Sequence, residues 1–314
     1  MEIKDFGRVG VLMGGPSSER EISLKSGKAV LSALKDSGLD AVGIDIITDN
    51  IAENIRLLNN YNLNCAFIAL HGRFGEDGAI QEILEKVDLP YTGSGVKASR
   101  LAMDKIGALK VFKAGKLYVP RSYFLERSAY NKNKDFRNDL GLPLVVKPAN
   151  HGSSIGLSIV ERQEEIPEAI QLAFKFDERI VIEEYIVGRE LTVGVLDEKP
   201  LPVIEIVPKH KFFDFEAKYQ AGLTDYIIPA SLDPAIAEKV QQAGLQAHKL
   251  LGCFGCSRTD IILSRDNLPF VLETNTIPGM TATSLLPKAA RILGIDFNRL
   301  CIKLLELAYE KAKV

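Results

Sequence analysis

Asp260 and Glu273 stand in two apolar runs, "SRTDIIL" and "PFVLETN", joined by the polar stretch "SRDNLP". β-branched and aromatic runs around such a turn predict a β-hairpin. With the turn centred on Asp266 and Asn267, Asp260 falls opposite Glu273 and Arg258 opposite Asn275. Side chains alternate along a strand, so all four share one face. Directly opposed carboxylates, about 5 Å apart at Cβ, repel each other. Two carboxylates with an amide oxygen therefore call for a cation, and oxygen donors without His or Cys favour Mg²⁺ or Mn²⁺. The other reading is a solvent-facing rim of charges, because a one-residue slip would turn the set to the opposite face.

A metal of this kind commonly serves phosphate. No G-x-x-x-x-G-K-[ST] sequence is present, which excludes a P-loop. "LVVKPANHGSSIGLSIV" instead predicts strand, glycine- and serine-rich turn, strand. Gly152, Ser153, Ser154 and Gly156 can offer N–H and O–H groups to phosphate oxygens. Lys147 ends the first of those strands, and Lys105 follows "AMD". Each lysine alone reads as a solvated surface charge in preference to a phosphate ligand. "RIVIEEYIVGRE" suits an adenosine: an extended segment exposes backbone to an adenine edge, and Glu190 can accept from a ribose diol. Out of that context, Glu183, Glu184 and Glu190 read as surface charge.

These residues need elements to hold them. In the first 93 residues, "RVGVLMGG", "DAVGIDII" and "CAFIAL" predict buried strands alternating with helices. That order implies a parallel, doubly wound sheet with ligands at its carboxyl edge, where Gly14, Gly15 and "HGRFGEDG" fall. Ser18 with Glu21 fits a capping box for the first helix, and Gly38 a stop. A helical, basic stretch follows from residue 94, then a small mixed α+β unit to about 187. Strands dominate beyond that until "SLDPAIAEKVQQAGLQAHKLLG", a clear helix. Residues 208–226 mix aromatic and charged side chains without period, as a lid or long loop would. The expected fold class is α/β with three parts, 1–93, 94–187 and 188–314.

Composition bounds the rest. The 314 residues are 46% hydrophobic and 25% charged, with a net charge of −2. No basic field is present for nucleic acid. No secretory signal or membrane-length apolar run is visible, so the expected location is the cytoplasm. Four cysteines do not make a disulfide framework. "CFGC" sits in an apolar run read as strand, which would point Cys253 and Cys256 to opposite faces; both are read as buried small hydrophobes.

Taken in order, "GGPSSEREISLKSG", "ALHGRFGEDG", "LPYTGSG", "MDK", "VVKPANHGSSIG", "FEAKY", "SRTD" and "LETNTIPGMTATSLLP" resemble the D-alanine–D-alanine ligases, from about Val9 to the C-terminal helix. The resemblance implies a Rossmann-like (pre-ATP-grasp) N-terminal domain followed by a two-part ATP-grasp module, usually as a homodimer. It implies ATP-dependent joining of two D-alanines through D-alanyl phosphate, for peptidoglycan. Glu19 would bind the first substrate's ammonium and His71 would line its site. Lys105, Lys147 and Lys218 would hold ATP phosphates beneath Ser153 and Ser154. Glu183 and the Ile186 backbone would meet adenine, and Glu190 the ribose. Asp260, Glu273 and Asn275 would hold two Mg²⁺ (or Mn²⁺) ions. Arg258 and the Gly279 N–H would stabilise the oxyanion of the tetrahedral intermediate.

Ser284 is read as an N-cap before "LLPKAA", with Pro287 in the first turn. A helix N-terminus suits an anion, so Ser284 and Leu285 would take the second substrate's carboxylate. Tyr219, in "FEAKY", would sit on the closing loop near Ser153 and Glu19, and argues for D-alanine rather than D-lactate as second substrate. The family pattern often carries tyrosines just before "EAKY"; Phe213 and Phe215 stand there instead. The alternatives are a D-alanyl-D-lactate or other ATP-grasp ligase, a metabolite-binding regulator without turnover, and a nicotinamide dehydrogenase. The last lacks G-x-G-x-x-G after its first strand.

Overall fold

The computed structural model describes residues 6–133, 139–152, 155–208 and 224–312. The N-terminal sheet is parallel, with β1 (Val9–Gly14) between β2 (Ala41–Ile46) and β3 (Cys65–Ile68). Its strands are buried on both faces, as expected when helices cover both sides. Val9, Val11 and Met13 point to a core shared with α1 (Arg20–Asp36). Leu12 points the other way, towards α2 (Ile51–Asn59) and α3 (Ala79–Lys86).

The first helix departs from expectation at its start. It begins at Arg20 with Glu19 in the cap position and no side-chain cap, so the Ser18–Glu21 capping box does not form. Ser17 is used instead: its hydroxyl accepts from the Glu19 N–H (3.2 Å) and donates to the His71 carbonyl (2.7 Å). The chain approaching from 71 turns a capping position into a bridge between loops. The far end behaves as read. Gly38 has φ +79°, its N–H meets the Lys35 carbonyl, and the Leu39 N–H meets that of Leu34, the paired bonds of a Schellman stop.

The basic helical stretch is two helices, α4 (Val96–Met103) and α5 (Lys105–Ala114). They break at Asp104, whose carboxylate caps α5 at the Ile106 N–H. Next come β4 (Ser122–Glu126), α6 (Arg127–Asn133), β5 (Leu144–Pro148), β6 (Ser158–Val160), α7 (Ile166–Phe174) and β7 (Arg179–Glu184). The strands form an antiparallel sheet in the order β4-β7-β5-β6, with α7 on its buried face.

Residues 185–187 connect it, without strand pairing, to a six-stranded sheet. That sheet holds β8 (Gly188–Leu196), β9 (Lys199–Pro200), β10 (Ile204–Pro208), β11 (Thr224–Ile227), β12 (Cys256–Ser264) and β13 (Pro269–Asn275). Its order is β11-β10-β8-β12-β13, with β9 on β8. One face packs on α5 and on α8 (Pro234–Leu250). The chain ends with α9 (Leu285–Ile292) and α10 (Phe297–Lys311), which pack against α1 and the N-terminal sheet. No helix among the described residues is long and apolar enough to cross a membrane.

"CFGC" is not strand. Cys253 lies in the loop after α8 and only Cys256 begins β12. Gly255, at φ +73°, turns the chain between them. The reading as buried thiols stands: burial pushes both up to about 12. No cluster of three or more His, Cys, Asp or Glu that could hold a metal occurs among the described residues.

His248, fully enclosed beneath α8, hydrogen-bonds Ser257 through Nδ1 at 2.7 Å. Burial lowers its pKa from 6.5 to about 4. The fold therefore favours the neutral ring. That contribution is complete above about pH 6.5 and is lost as pH falls towards 4; it is at most about 3 kcal/mol. Denaturant midpoints followed from pH 7 to pH 4 are expected to fall, and a His248→Gln variant to flatten that fall.

Candidate functional site

The β12–β13 hairpin carries the core of the site. Asp260 pairs with Glu273 and Arg258 with Asn275, as expected. The register near the turn does not follow the expectation. There Ile261 pairs with Val271, Ile262 with Phe270 and Leu263 with Pro269, so the turn centres on Asp266 alone. Asn267, at φ +57°, and the Ser264–Leu268 bond close it. Leu272 is an extra residue on β13, and its bulge reconciles the two registers. Val271 faces the core with Ile261 and Leu263. Strict alternation would send Glu273 the same way. The bulge instead brings Glu273 and Asn275 to the face of Asp260 and Arg258, while Thr274 meets Thr259 inside at 3.0 Å.

Every acid of this pair is met by a cation. Arg258 grips Asp260 through Nε and Nη2, each at 3.0 Å. Thr192, on β8, donates to the same carboxylate at 2.8 Å, and the Asn275 amide reaches it at 3.4 Å. Lys105 Nζ lies 3.1 Å from Glu273 Oε2 and donates to the His151 carbonyl at 2.7 Å. Lys105 is only 8% exposed and Lys147 5%, so neither is a surface charge. Asp104 caps α5 at the N–H next to Lys105, which fixes where that lysine starts. The chemistry of this donor set fits divalent ions. Two carboxylates and an amide are too few to hold them alone, so phosphate oxygens and water would complete the shell.

On the small sheet, Lys147 Nζ meets Glu183 Oε1 at 2.5 Å, both side chains nearly enclosed. Glu183 Oε2 is buried with no hydrogen-bond partner among the described residues. A buried carboxylate oxygen left this way is costly unless a ligand donor meets it. Ile186, in the connector 185–187, is half-buried and its backbone groups have no partner among the described residues. Glu190 lies half-buried on β8, opposite Ile262 and Ile206. A nucleotide base edge fits this donor and acceptor set.

A cavity of about 600 Å³ collects the rest. Glu19 and His71 enter from the N-terminal sheet, Lys105 from α5, and Gly152 from the turn after β5. Arg258, Glu273, Asn275 and Gly279 come from the hairpin and its exit, Ser284 and Leu285 from the start of α9. Glu19 is 8% exposed. A Cβ on Gly72 would stand 3.0 Å from Glu19 Oε2, and one on Gly152 3.4 Å from its Oε1, so two glycines give this carboxylate room. Lys147, Glu183, Ile186 and Glu190 do not line this cavity.

Ser284 is the N-cap residue of α9, but its hydroxyl makes no cap. It accepts from the Thr281 N–H at 3.1 Å. The Ser284 N–H is not open as expected, since it donates to the Thr281 carbonyl at 3.0 Å; the Leu285 N–H is left without a side-chain cap. Ser153, Ser154, Lys218 and Tyr219, with Phe213 and Phe215, lie outside the described residues. The ends of the 208–226 insert do lie together: Pro208 pairs with Thr224, and Thr224 and Tyr226 line the cavity.

Sequence reading missed three contributors. Ser26 and Ser17 hold the His71 loop, and Thr192 supports Asp260. Lys288 is a further cation on the cavity wall, its Nζ 4.3 Å from the Tyr226 ring centroid, and burial lowers its pKa. The helical period held a signal for it, since Lys288 is one turn beyond Ser284.

The family models for the D-ala D-ala ligase N-terminus and C-terminus match residues 48–94 and 111–306. A D-alanine–D-alanine ligase of Geotalea uraniireducens is 48% identical over 302 residues, covering 96% of this chain and 95% of that protein. The Bacillus anthracis D-alanine–D-alanine ligase crystallised with ATP is 33% identical, with a TM-score of 0.84 and 98% of each chain covered. The VanG D-Ala:D-Ser ligase of Enterococcus faecalis is 30% identical, with a TM-score of 0.84, over 96% of this chain and 99% of that one. With both family models matched in order and near-complete coverage at such identity, this α/β chain belongs to the D-alanine–D-alanine ligase family, the ATP-dependent ligases of the ATP-grasp fold.

Proposed function

We propose that this chain joins two D-alanines to D-alanyl-D-alanine at the expense of ATP, for peptidoglycan precursor synthesis. One observation carries the reading. A single cavity gathers the carboxylates of Glu19 and Glu273, the cations Lys105 and Arg258, the Asn275 amide and the start of α9 at Ser284 and Leu285.

The chemistry must make a carboxylate electrophilic. The first D-alanine is held by its ammonium on Glu19, in the site that His71 helps to line. Its carboxylate oxygen attacks the γ-phosphorus, the bond to ADP breaks, and D-alanyl phosphate forms. The second D-alanine, its carboxylate at the start of α9 on the Ser284 hydroxyl and the Leu285 N–H, attacks the acyl carbon with its amine. Arg258 and the Gly279 N–H face the resulting oxyanion, and phosphate leaves. Most of the rate comes from positioning and charge neutralisation.

Lys105, Lys147 and Lys218 hold the phosphates, with Ser153 and Ser154 above them. Glu183 and Ile186 take the adenine and Glu190 the ribose. Asp260, Glu273 and Asn275 would hold two Mg²⁺ (or Mn²⁺) ions, which would neutralise phosphate charge. By the family reading, Tyr219, which lies outside the described residues, would help to keep water from the acyl phosphate.

We also propose that the three units work as 1–93, 94–187 and 188–314, with α5 and α10 packing across those limits. The same family reading makes the enzyme a cytoplasmic homodimer. Phosphate release in the presence of ATP is the test. It is expected with D-alanine, but not with L-alanine or D-lactate alone, and the product with D-alanine plus D-lactate is expected to remain the dipeptide. Release independent of D-alanine, or a depsipeptide as main product, would overturn the reading.

A further inference from the structure

We propose that Ser26 is a positioning residue for ligation, locking the first-substrate loop and the oxyanion loop to one hydroxyl. The inference rests on the function proposed above. Ser26 lies on α1, one and a half turns from its start, and is 1% exposed. Its Oγ is 2.9 Å from His71 Nε2 and 3.3 Å from the Met280 backbone nitrogen. His71 belongs to the loop after β3, and Met280 directly follows Gly279.

The proton directions follow from what each group can do. The Met280 N–H only donates, so Ser26 Oγ accepts there. The hydroxyl proton of a buried serine needs an acceptor. Among the described residues His71 Nε2 is the one partner able to take it. His71 is then neutral, with its proton on Nδ1. That nitrogen faces Glu76 Oε1 at 3.8 Å, and the same oxygen accepts from the Gly72 N–H at 3.0 Å. The His71 carbonyl is separately held by Ser17, whose oxygen also receives the Glu19 N–H. One histidine is thus fixed by main chain and side chain together, and Glu19 is fixed with it.

The consequence reaches the other side of the cavity. Glycine has no side chain to restrict its backbone, so the aim of the Gly279 N–H depends on its neighbours. Thr281 and Ser284 hold the chain after it. Ser26 holds the peptide between Gly279 and Met280. The ammonium site and the oxyanion site are therefore set at a fixed distance through α1. Misplacement by about 1 Å is enough to cost on the order of 100-fold in rate.

The test has two readouts. Ser26→Ala is expected to lower kcat for D-alanine on the order of 10- to 100-fold, with KM for ATP unchanged, because the nucleotide end is not touched. Wild-type turnover in that variant would overturn the proposal, as would equal losses in kcat and ATP binding. The second readout needs no Ser26 variant and no turnover: ¹⁵N NMR of the histidine rings in the wild-type enzyme, with His71 assigned by its loss in His71→Gln. The neutral His71 ring is expected to carry its proton on Nδ1, and a neutral ring protonated on Nε2 would overturn the proposal. Absence of D-alanine-dependent phosphate release in the wild type would instead count against the ligase reading, and would leave the ring assignment standing.

Discussion

Replacing Arg258 with alanine is expected to lower D-alanine-dependent ADP release by on the order of 10²- to 10³-fold, with ATP binding close to wild type. The guanidinium lines the same cavity as Gly279 and grips Asp260. Its charge is needed when negative charge develops on the substrate. In the resting protein that same charge neutralises Asp260 through two bonds at 3.0 Å. The variant keeps Thr192 and Asn275 on that carboxylate, so the hairpin retains two of its supports. Lys147 and Glu183 are on other strands and Ile186 is in the connector 185–187, so all three are undisturbed. Isothermal titration with a non-hydrolysable ATP analogue, beside a coupled ADP assay, separates the two effects. Wild-type turnover in the variant would remove Arg258 from the reaction.

Lys147→Met is expected to destabilise the protein by about 3–5 kcal/mol, because a buried carboxylate loses the cation paired with it. Lys147 Nζ and Glu183 Oε1 are 2.5 Å apart with 7% and 4% of their side chains exposed. Thermal midpoints should fall on the order of 10 °C, and ATP affinity should fall with them. A second substitution tells stability from function. Adding Glu183→Leu removes the stranded acid and is expected to restore much of the midpoint, since apolar replacements of buried pairs are well tolerated. Nucleotide binding should not return, because both the cation and the open oxygen Glu183 Oε2 are gone. Recovery of both together would make the pair purely structural.

The sequence carried the parts of this site that follow from short-range periodicity. The two runs around "SRDNLP" were enough to bring Asp260 to Glu273, and the alternating strands of the first 93 residues were enough for a parallel sheet. It did not carry the bulge, because Leu272 looks like any other apolar strand residue. The turn was misplaced by half a residue for the same reason. Ser17 and Ser26 were invisible because their partners lie 54 and 45 residues along the chain. A hydroxyl near a helix start reads locally as a cap, and only the folded loop shows what it holds. Lys105 and Lys147 read as surface charge because burial of a lysine depends on partners such as Glu273 and Glu183, which no local pattern announces.

Leu272 has a wider consequence. Its side chain contributes little that another apolar residue could not, yet its presence decides which way Glu273 and Asn275 look. The hairpin is therefore sensitive to counting rather than to chemistry at that point. Exchange of one aliphatic group for another leaves the parity intact, whereas a single codon lost or gained between Val271 and Glu273 would swap inside for outside over the rest of the strand. Comparison of such hairpins between relatives is best anchored on the acid pair, with any gap placed towards the turn.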